Sequence, residues 1–452
     1  MTWNDRRSGW RKHAGDARSD ADVDYGRIVH CASFRRLQGK TQILNLGDSD
    51  FYRNRLTHSL EVAQIAGSVT RQLQIDHPSH PAIEHLPSLP QIQAIGATHD
   101  LGHPPFGHGG EVALNYCMAE HGGFEGNGQT IRILTRLEKY SDHDGADLAR
   151  RTLLGTLKYP APYGQLANPD LRPVLRPNTS VLSLIDRDAA KPPKCYMESE
   201  DAAVMWILEK LSPRDRDMFT SIEQWSAAEG AAPEHHKARH KSLDCSIMDL
   251  ADDIAFGVHD LEDALALSFI TREDFEQNVS PEACRHFLDF VNSRKRAGSG
   301  NDAYGDLAAM LFGSASPRKH AISRLVGYFV QHCLFEEENG FEEPLIRYRA
   351  ALHPDAAVLL KALKKLVYRH VIRSPAVQHL EFKGQQMVVA VFEAFATEPE
   401  AFLPLGTFAL FERDGGDMRV ICDHIAGMTD GFLLKTYERL FSPRMGSVFD
   451  QL

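Results

Sequence analysis

The sequence has no long hydrophobic run and no excess of positive charge. Its longest apolar run, near residues 387–392, is far shorter than the roughly 20 residues needed to cross a bilayer, so no membrane span is expected. The first residues are charged from Asp5 onward and contain no apolar core, so a signal peptide is not predicted.

Paired cysteine motifs are also missing. The seven cysteines are odd in number and scattered, without a CxxC pair. This pattern argues against a disulfide framework and a zinc ribbon. We therefore expect reduced thiols and a cytoplasmic protein.

The charge balance is acidic, with 50 Lys and Arg against 61 Asp and Glu, which leaves a net charge of −11. Such a balance argues against a generic basic nucleic-acid binder, although a local basic groove is still allowed. An anionic substrate would need a metal ion or clustered cations. The 43% of hydrophobic residues is ordinary for a globular protein and sufficient for a buried core.

Alternation with a period of two is scarce, whereas apolar residues often recur every three or four positions, which is typical of helices. Helices are predicted over Arg55–Leu73, Leu250–Leu267, Ala351–Ile372 and Gln386–Ala396. The best strand candidates are short, at Gly406–Phe411 and Met418–Ile421. The predicted fold class is all-α, with at most short β-hairpin elements.

The length of 452 residues allows about three domains, but no long flexible linker and no fixed-period repeat is present. We predict one large helical domain over residues 25–452, preceded by a partly mobile segment over residues 1–24. The active-site core is predicted within residues 34–270, and a C-terminal helical part within residues 271–452.

Histidine is the unusual residue: there are 22, and seven fall between His58 and His108. His58 lies on an apolar helical stripe, where a lone histidine is usually a core residue. His99 and Asp100 follow an apolar stretch predicted as a buried helix ending at Gly102. A loop rich in proline and glycine then carries His103 and His108. An ordinary surface turn is the alternative, but three histidines and an aspartate within ten residues weaken it.

A third acidic pattern lies in Met248–Asp263. Asp252, Phe256 and Asp260 step by four, on a different face from the apolar stripe of the same helix. An acidic run on a helix usually faces water, but here the acids alternate with apolar residues. Buried carboxylates need a counter-charge, which a metal ion can supply.

Together, His58, His99, Asp100 and Asp252 form a candidate metal site with nitrogen and oxygen ligands. The absence of nearby cysteine argues against a structural zinc site, and the ligand set suits one divalent ion of Mn, Fe, Co, Ni or Mg. Such an ion polarises phosphoryl oxygens and locally reverses an acidic field.

The order of these residues resembles the H…HD…D signature of HD-domain phosphohydrolases. The flanking residues are closer still to the dGTPase-like branch, the deoxynucleoside triphosphate (dNTP) triphosphohydrolases. The matching stretches cover almost the whole chain: Phe34–Gln42, Arg55–Val62, Thr98–Glu111, Phe124–Leu134, Leu250–Asp263 and Ile425–Asp430.

The resemblance implies that the four candidate ligands hold the metal, with Asp252 preferred over Asp253. It further implies that His108 is the catalytic histidine beside the α-phosphate and that Glu111 orients it. His103 is similar to a second pocket histidine that contacts phosphate.

The resemblance also implies a substrate-binding set. Gln42 and Asp260 match positions that read the 3′-hydroxyl of the sugar, and Arg55 matches an arginine that contacts the nucleotide. Lys158 and Tyr159 resemble a triphosphate-binding pair; Asn127 occupies the position of another polar pocket group.

Phe256 departs from the family, because relatives usually carry a tyrosine there that packs under C2′ of the sugar and excludes ribose. Phenylalanine keeps the ring but loses the hydroxyl group, so exclusion of ribose is expected and any hydrogen bond of the phenol is not. The alternative is an ordinary core phenylalanine.

Other polar groups carry weaker hypotheses. Arg35, Arg36 and Lys40 are interpreted as partly solvated, or as contacts for phosphate or an allosteric nucleotide. A second metal site is disfavoured at three loop histidines, and no ligand role is assigned to His259. The three are His235, His236 and His240.

The implied activity is metal-dependent hydrolysis of a dNTP to deoxynucleoside and inorganic triphosphate. Two alternatives stay open: an HD enzyme acting on another nucleotide phosphoester, and a nucleotide-binding regulatory protein of low activity. Relatives commonly form homo-oligomers, often hexamers, and some bind an allosteric dNTP or single-stranded DNA.

Overall fold

Helices make up most of the regular structure in the computed structural model, which describes residues 2–42, 53–176, 184–226, 232–293 and 302–443. This confirms the all-α prediction. Within the described residues, the strands form two short antiparallel pairs. β1 and β2 are Ile222–Glu223 and Lys237–Ala238, and β3 and β4 are Cys333–Glu337 and Tyr348–Leu352.

The helices are numbered in chain order. The first group, α1 to α8, comprises Asp20–His30, Ala32–Arg36, Arg55–Asp76, Leu89–Thr98, Gly107–Cys117, Gly126–Arg132, Arg150–Thr156 and Tyr163–Leu166. The second group, α9 to α15, comprises Asp201–Leu208, Pro213–Phe219, Leu243–Ala266, Arg272–Asn278, Pro281–Asn292, Ala303–Leu311 and Ala315–Val330. The third group, α16 to α22, comprises Pro344–Arg347, Pro354–Val367, Pro375–Thr397, Pro399–Phe402, Leu405–Arg413, Met418–Ala426 and Asp430–Phe441.

The two long helices α3 and α11 begin with polar caps. The Asn54 side chain accepts a hydrogen bond from the backbone N–H of Thr57, and the Thr57 side chain caps Asn54 in return. Ser242 caps α11 by accepting from the backbone N–H of Cys245. Such caps satisfy backbone donors that the first turn of a helix leaves unpaired. Both helices lie where the apolar stripes predict them, although α11 starts at Leu243.

The two predicted strands at Gly406–Phe411 and Met418–Ile421 are wrong, because these residues belong to α20 and α21. A short apolar run does not distinguish a strand from a partly buried helix. In α21, Ile421, Cys422 and Ile425 are all fully buried, and this i, i+1, i+4 spacing fits one face of a helix, whereas neighbouring residues of a strand point to opposite faces.

Other boundaries also differ from the prediction. The segment predicted as one helix over Ala351–Ile372 starts in β4, continues as α17 and ends in a π-helical turn, Tyr368–Ile372. Helix α4 ends at Thr98 and not at Gly102, so His99 caps it and Asp100 lies in the following turn.

Three packed groups of helices position the candidate site. Helix α3 packs against α4 and α11, α11 packs against α17, and α5 packs against α18. The crossing of α5 and α18 is close: a Cβ atom at Gly109 would lie 2.6 Å from the carbonyl oxygen of Glu381. Glycine is therefore required there, and α18 forms a wall beside the histidine loop.

Hydrogen bonds between residues distant in sequence link the histidine loop to the C-terminal helices. The buried Lys40 donates to the carbonyl oxygens of His103 at 2.6 Å and Ala426 at 2.9 Å. The Asp430 carboxylate accepts from the backbone N–H of Thr41 at 2.9 Å and of Phe106 at 3.0 Å. The C-terminal helices thus hold the histidine loop directly.

The segment predicted to precede the domain packs against it in part. Arg6 is buried, its Nη1 lies 2.6 Å from Asp24 Oδ1, and α1 starts at Asp20. The domain boundaries at residues 24 and 270 stay predictions. None of the helices among the described residues is both long and apolar enough to span a membrane.

Candidate active site

The polar centre of the molecule is a group of potential metal ligands from three helices. His58 comes from α3, His99 from the end of α4 and Asp252 from α11, and one ligand atom of each lies within 4.8 Å of the others. His58 Nε2 is 3.2 Å and His99 Nε2 is 3.8 Å from Asp252 Oδ1. Two imidazoles and a carboxylate form a donor set suited to a divalent transition ion.

The hydrogen bonding of His99 favours this interpretation. Its Nδ1 lies 2.8 Å from the carbonyl oxygen of Gly96, which can only accept, so Nδ1 carries the proton. In the neutral ring, Nε2 then has a free lone pair, and within the described part of the chain this buried atom has no hydrogen-bond partner. An imidazole oriented by a backbone carbonyl is a common arrangement of a metal ligand.

Asp100, the fourth predicted ligand, lies beside this group. Its Oδ2 is 3.6 Å from His99 Nε2 but only 2.6 Å from Arg55 Nη1, and its Oδ1 is 3.0 Å from His103 Nδ1. The structure thus brings three of the four predicted ligands together and holds Asp100 at their edge, in an ion pair with Arg55 and in contact with His103.

Both carboxylates are ionised in spite of burial. Burial alone would raise the pKa of Asp100, but the charge of Arg55, aided by the hydrogen bond with His103, holds that pKa well below its usual range. The pKa of Asp252 is likewise lowered, since the hydrogen bond from His58 and the charge of Lys158 outweigh burial. Two adjacent carboxylates in this state favour a bound cation.

The predicted catalytic pair lies on the first turns of α5. His108 Nδ1 is 3.3 Å from Glu111 Oε2, and the His108 side chain is 61% exposed whereas that of Glu111 is 4% exposed. Glu111 also accepts from the backbone N–H of Gly126 at 3.0 Å. A fixed, buried carboxylate therefore orients an imidazole that reaches into open space.

His103 is in a different electrostatic environment. Its ring centroid is 6.0 Å from that of His108. Burial and the nearby charge of Arg55 lower the pKa of His103 to about 4. His103 is therefore neutral at neutral pH, and it can donate or accept a hydrogen bond without carrying charge.

One cavity of about 330 Å³ joins these groups. All predicted site residues except Glu111 line it: His58, His99, Asp100, Asp252, His103, His108, Gln42, Arg55, Asn127, Lys158, Tyr159, Phe256 and Asp260. The resemblance and the cavity thus select nearly the same set of residues.

Lys158 lines the cavity beside the candidate metal ligands. Its Nζ is 2.6 Å from Asp249 Oδ1 and 3.6 Å from Asp252 Oδ2, so the three side chains form one partly buried ion cluster. These carboxylates raise the pKa of Lys158 well above its usual range, although burial opposes this. Asn127 donates from Nδ2 to Glu125 Oε1 at 2.7 Å.

The other polar groups are unpaired acceptors. Gln42 Oε1 and Asp260 Oδ2 are buried and have no hydrogen-bond partner among the described residues. Burial raises the pKa of Asp260 to about 7. Phe256 lies between Asp252 and Asp260 on α11, lines the cavity and packs on its other side against the central hydrophobic core. A ligand with hydroxyl groups would satisfy these acceptors.

Lys194 is a cavity residue that the sequence interpretation missed. Its Nζ is 2.8 Å from Glu125 Oε1 and 3.3 Å from Glu111 Oε1, and the two carboxylates raise its pKa against the effect of burial. It stands at the end of a proline-containing loop, and no motif in the sequence distinguishes it from other loop lysines.

The far wall of the cavity was also missed. Ile372, Val377, Leu380 and Glu381 reach it from the π-helical turn and α18. Sequence periodicity shows that these helices are amphipathic, but it does not show which distant cavity they cover.

The loop histidines form separate contacts. His235 accepts at Nδ1 from the backbone N–H of Asn168, and His236 accepts in the same way from Trp225. His240 Nδ1 is 3.3 Å from Glu338 Oε2. Within the described ranges, a second group of potential ligands, at His286, His353 and Asp355, lies elsewhere, and its Asp355 side chain is largely exposed.

Comparisons with known proteins assign this chain to known families. The HD domain family matches residues 55–190, and the phosphohydrolase-associated domain family matches residues 350–439. Each relative below is a deoxyguanosinetriphosphate triphosphohydrolase-like protein. That of Shewanella pealeana is 46% identical, over 99% of this chain and 98% of the relative. That of Shewanella halifaxensis is 44% identical, again over 99% of this chain and 98% of the relative. That of Shewanella baltica strain OS185 is 44% identical, over 98% of this chain and 97% of the relative.

Proposed function

Since the chain belongs to the deoxyguanosinetriphosphate triphosphohydrolase-like family of HD-domain phosphohydrolases, we propose that it hydrolyses a dNTP to deoxynucleoside and inorganic triphosphate. The observation that carries the proposal is the His58, His99 and Asp252 group. This group opens into a cavity that is also lined by three basic side chains and by two buried oxygens without a hydrogen-bond partner among the described residues. They are Arg55, Lys158 and Lys194, and Gln42 Oε1 and Asp260 Oδ2. The same proposal locates the protein in the cytoplasm, where its unpaired cysteines suit a reducing compartment.

Metal dependence is part of the proposal. His58, His99 and Asp252 would hold the ion, with Asp100 next to them. When bound, a divalent ion supplies polarisation of a phosphoryl oxygen and favours ionisation of water. Mn, Mg, Co, Ni and Fe all suit the ligands.

Cations of the chain hold the triphosphate in this proposal. Arg55 is fixed by Asp100 and presents its guanidinium to the cavity, and Lys158 lies behind the ligand group. Lys194 adds a third positive charge beside Glu111. Charge-assisted hydrogen bonds to phosphate are among the stronger polar contacts in proteins.

In the reaction, the oxygen of water forms a bond to the α-phosphorus, and the bond from this phosphorus to O5′ of the sugar breaks. The attacking water releases one proton to solvent, and O5′ takes up one. Protonated His108 can provide the proton for O5′, because it lines the cavity while Glu111 holds its Nδ1, and solvent then reprotonates the ring. Imidazole is suited to proton transfer near neutral pH.

Selection of deoxyribose rests on three residues in this proposal. The 3′-hydroxyl would pair with the buried acceptors Gln42 Oε1 and Asp260 Oδ2. The Phe256 ring would pack under C2′, where a 2′-hydroxyl would lack both space and a partner.

The test is an activity panel of each dNTP, alone and in mixtures, with Mn, Mg, Co and Ni and with intact triphosphate as the measured product. We expect His99→Ala to lower triphosphate release by about a hundredfold or more, because the metal loses a ligand. His259→Ala is the matched control, since His259 pairs with Glu61 outside the ligand group.

Other results would contradict the proposal in distinct ways. Release of monophosphate or pyrophosphate would indicate an HD enzyme for another phosphoester. Tight dNTP binding by metal-replete protein without turnover would indicate a regulatory protein. Activity that survives both chelation and His99→Ala would exclude the metal site.

A further inference from the structure

A second concave surface adjoins the cavity at Asp253 and Lys364. It has a volume of about 620 Å³ and is lined by five basic side chains, which we call the basic groove. They are Arg239, Lys241, Arg349, Lys361 and Lys364. This concentration of positive charge is unusual for a chain with a net charge of −11.

The groove and the cavity are continuous. Asp253 and Lys364 line both, and they form an ion pair with each other. Asp249 provides a second connection, because its carboxylate pairs with Lys158 on the cavity side and with Lys241 on the groove side.

The basic side chains outnumber their partners. Asp249 and Asp253 are the two carboxylates of the groove lining, and each is already paired with lysine. Arg349 pairs with Glu338 and Glu336 outside the lining. Arg239 and Lys361 have no ion-pair partner among the residues that the structure describes, so their charges are available to a ligand.

We infer that the basic groove binds an inorganic polyphosphate, and that its natural ligand is the triphosphate leaving the active site. Arg and Lys side chains are the usual phosphate contacts of proteins. A linear polyanion that leaves the cavity past Lys158 would meet Lys364 and then Lys361. The identity of the natural ligand rests on the proposed function, whereas the site itself rests on the geometry of the groove.

The experiment titrates the full-length, metal-loaded protein with inorganic tripolyphosphate at low ionic strength, because salt screens exposed charges. We expect two binding events per chain, one in the cavity and one in the groove. The double variant Arg239→Glu with Lys361→Glu should weaken the second event at least tenfold and leave the first.

A double variant with the same charge change serves as the control. Lys365→Glu with Arg285→Glu alters two exposed residues outside the groove and should retain both events. Circular dichroism checks that each variant is folded. Identical titrations for the wild type and the groove variant would overturn the inference, as would equal weakening in the control.

The outcomes also separate this inference from the proposed function. If no dNTP is hydrolysed but the groove variant loses one tripolyphosphate, the groove is a polyphosphate site and the proposed activity is wrong. If dNTPs are hydrolysed and the groove variant binds as the wild type does, the activity stands and the groove inference fails.

Discussion

Lys194 connects two carboxylates that the rest of the site depends on. Glu111, which holds His108, and Glu125, which caps α6, both pair with its amine. Lys194→Met should lower kcat by about 10- to 100-fold, because proton transfer by an imidazole in the wrong position is less efficient. The kcat and KM of each variant measure this.

Two variants control the Lys194 experiment. Lys191→Met changes an exposed lysine of the same loop and should have little effect. Lys194→Arg keeps the charge and should recover part of the activity. A Lys194→Met enzyme with unchanged kcat would mean that Glu111 needs no counter-charge.

Phe256 is the residue at which the chain departs from the family pattern. If its ring excludes ribose, Phe256→Ala should reduce the preference for a dNTP over the matching ribonucleotide by about tenfold, as expected for a change in fit within an apolar pocket. The measurement is the ratio of the two kcat/KM values. Phe256→Tyr keeps the ring and should keep the preference; a preference that survives Phe256→Ala would make Phe256 a core residue.

At the level of elements, Arg132 joins α6 to α21 across the molecule. Its Nη2 is 2.7 Å from Asp423 Oδ2 and its Nη1 is 2.6 Å from Glu200 Oε1, and all three side chains are largely buried. Removing the cation would leave two buried carboxylates without this counter-charge, with only neutral donors such as Gln129 and Thr135 beside them. Arg132→Met should therefore lower the free energy of unfolding by about 3–5 kcal/mol.

Urea unfolding monitored by circular dichroism measures this loss. Arg136→Met is the matched control, because Arg136 is exposed one turn further along and should change stability by less than about 0.5 kcal/mol. Equal stability of the two variants would show that the Arg132 ion pairs contribute nothing net.

The sequence predicts elements well where one strong signal acts alone. The stripe of α3 is regular over several turns, so its position follows from periodicity. In Leu405–Arg413 and Met418–Ala426 the runs are short, and periodicity does not settle their type. In the structure α20 packs against α21, and α21 packs against α18. Lys194 and Glu381 reach the cavity through tertiary contacts only, so no local pattern indicates them.

At the scale of the whole molecule, the site couples stability to pH. Burial and Arg55 depress the pKa of His103 to about 4, below the ordinary value of 6.5. Between pH 4 and pH 6.5 the unfolded chain binds a proton at His103 and the folded chain does not. The contribution of His103 to the free energy of unfolding is therefore complete above pH 6.5 and is lost as the pH falls to 4. The difference corresponds to at most about 3 kcal/mol.

His103→Gln tests this coupling. Urea unfolding from pH 4 to 7.5 should show a shallower loss of stability for the variant than for the wild type. A variant at the exposed His320, His320→Gln, should follow the wild-type curve. Parallel curves for wild type and His103→Gln would mean that His103 titrates normally.

The arrangement of the two chain ends was not accessible from the sequence. The predicted site residues lie between Gln42 and Asp260, but Asp430 and Ala426 hold the histidine loop through Thr41, Phe106 and Lys40. The resemblance predicts which side chains meet because the motif order carries that information. It does not predict which helices surround them, since that depends on packing across several hundred residues.

The seven cysteines have a practical consequence. Six are buried, the seventh is partly buried, and burial raises the pKa of every one of these thiols. Only the thiolate reacts quickly with alkylating reagents. The native protein is therefore close to silent towards maleimide dyes, and a cysteine introduced at exposed Lys365 would carry a single fluorophore without removal of the natural ones.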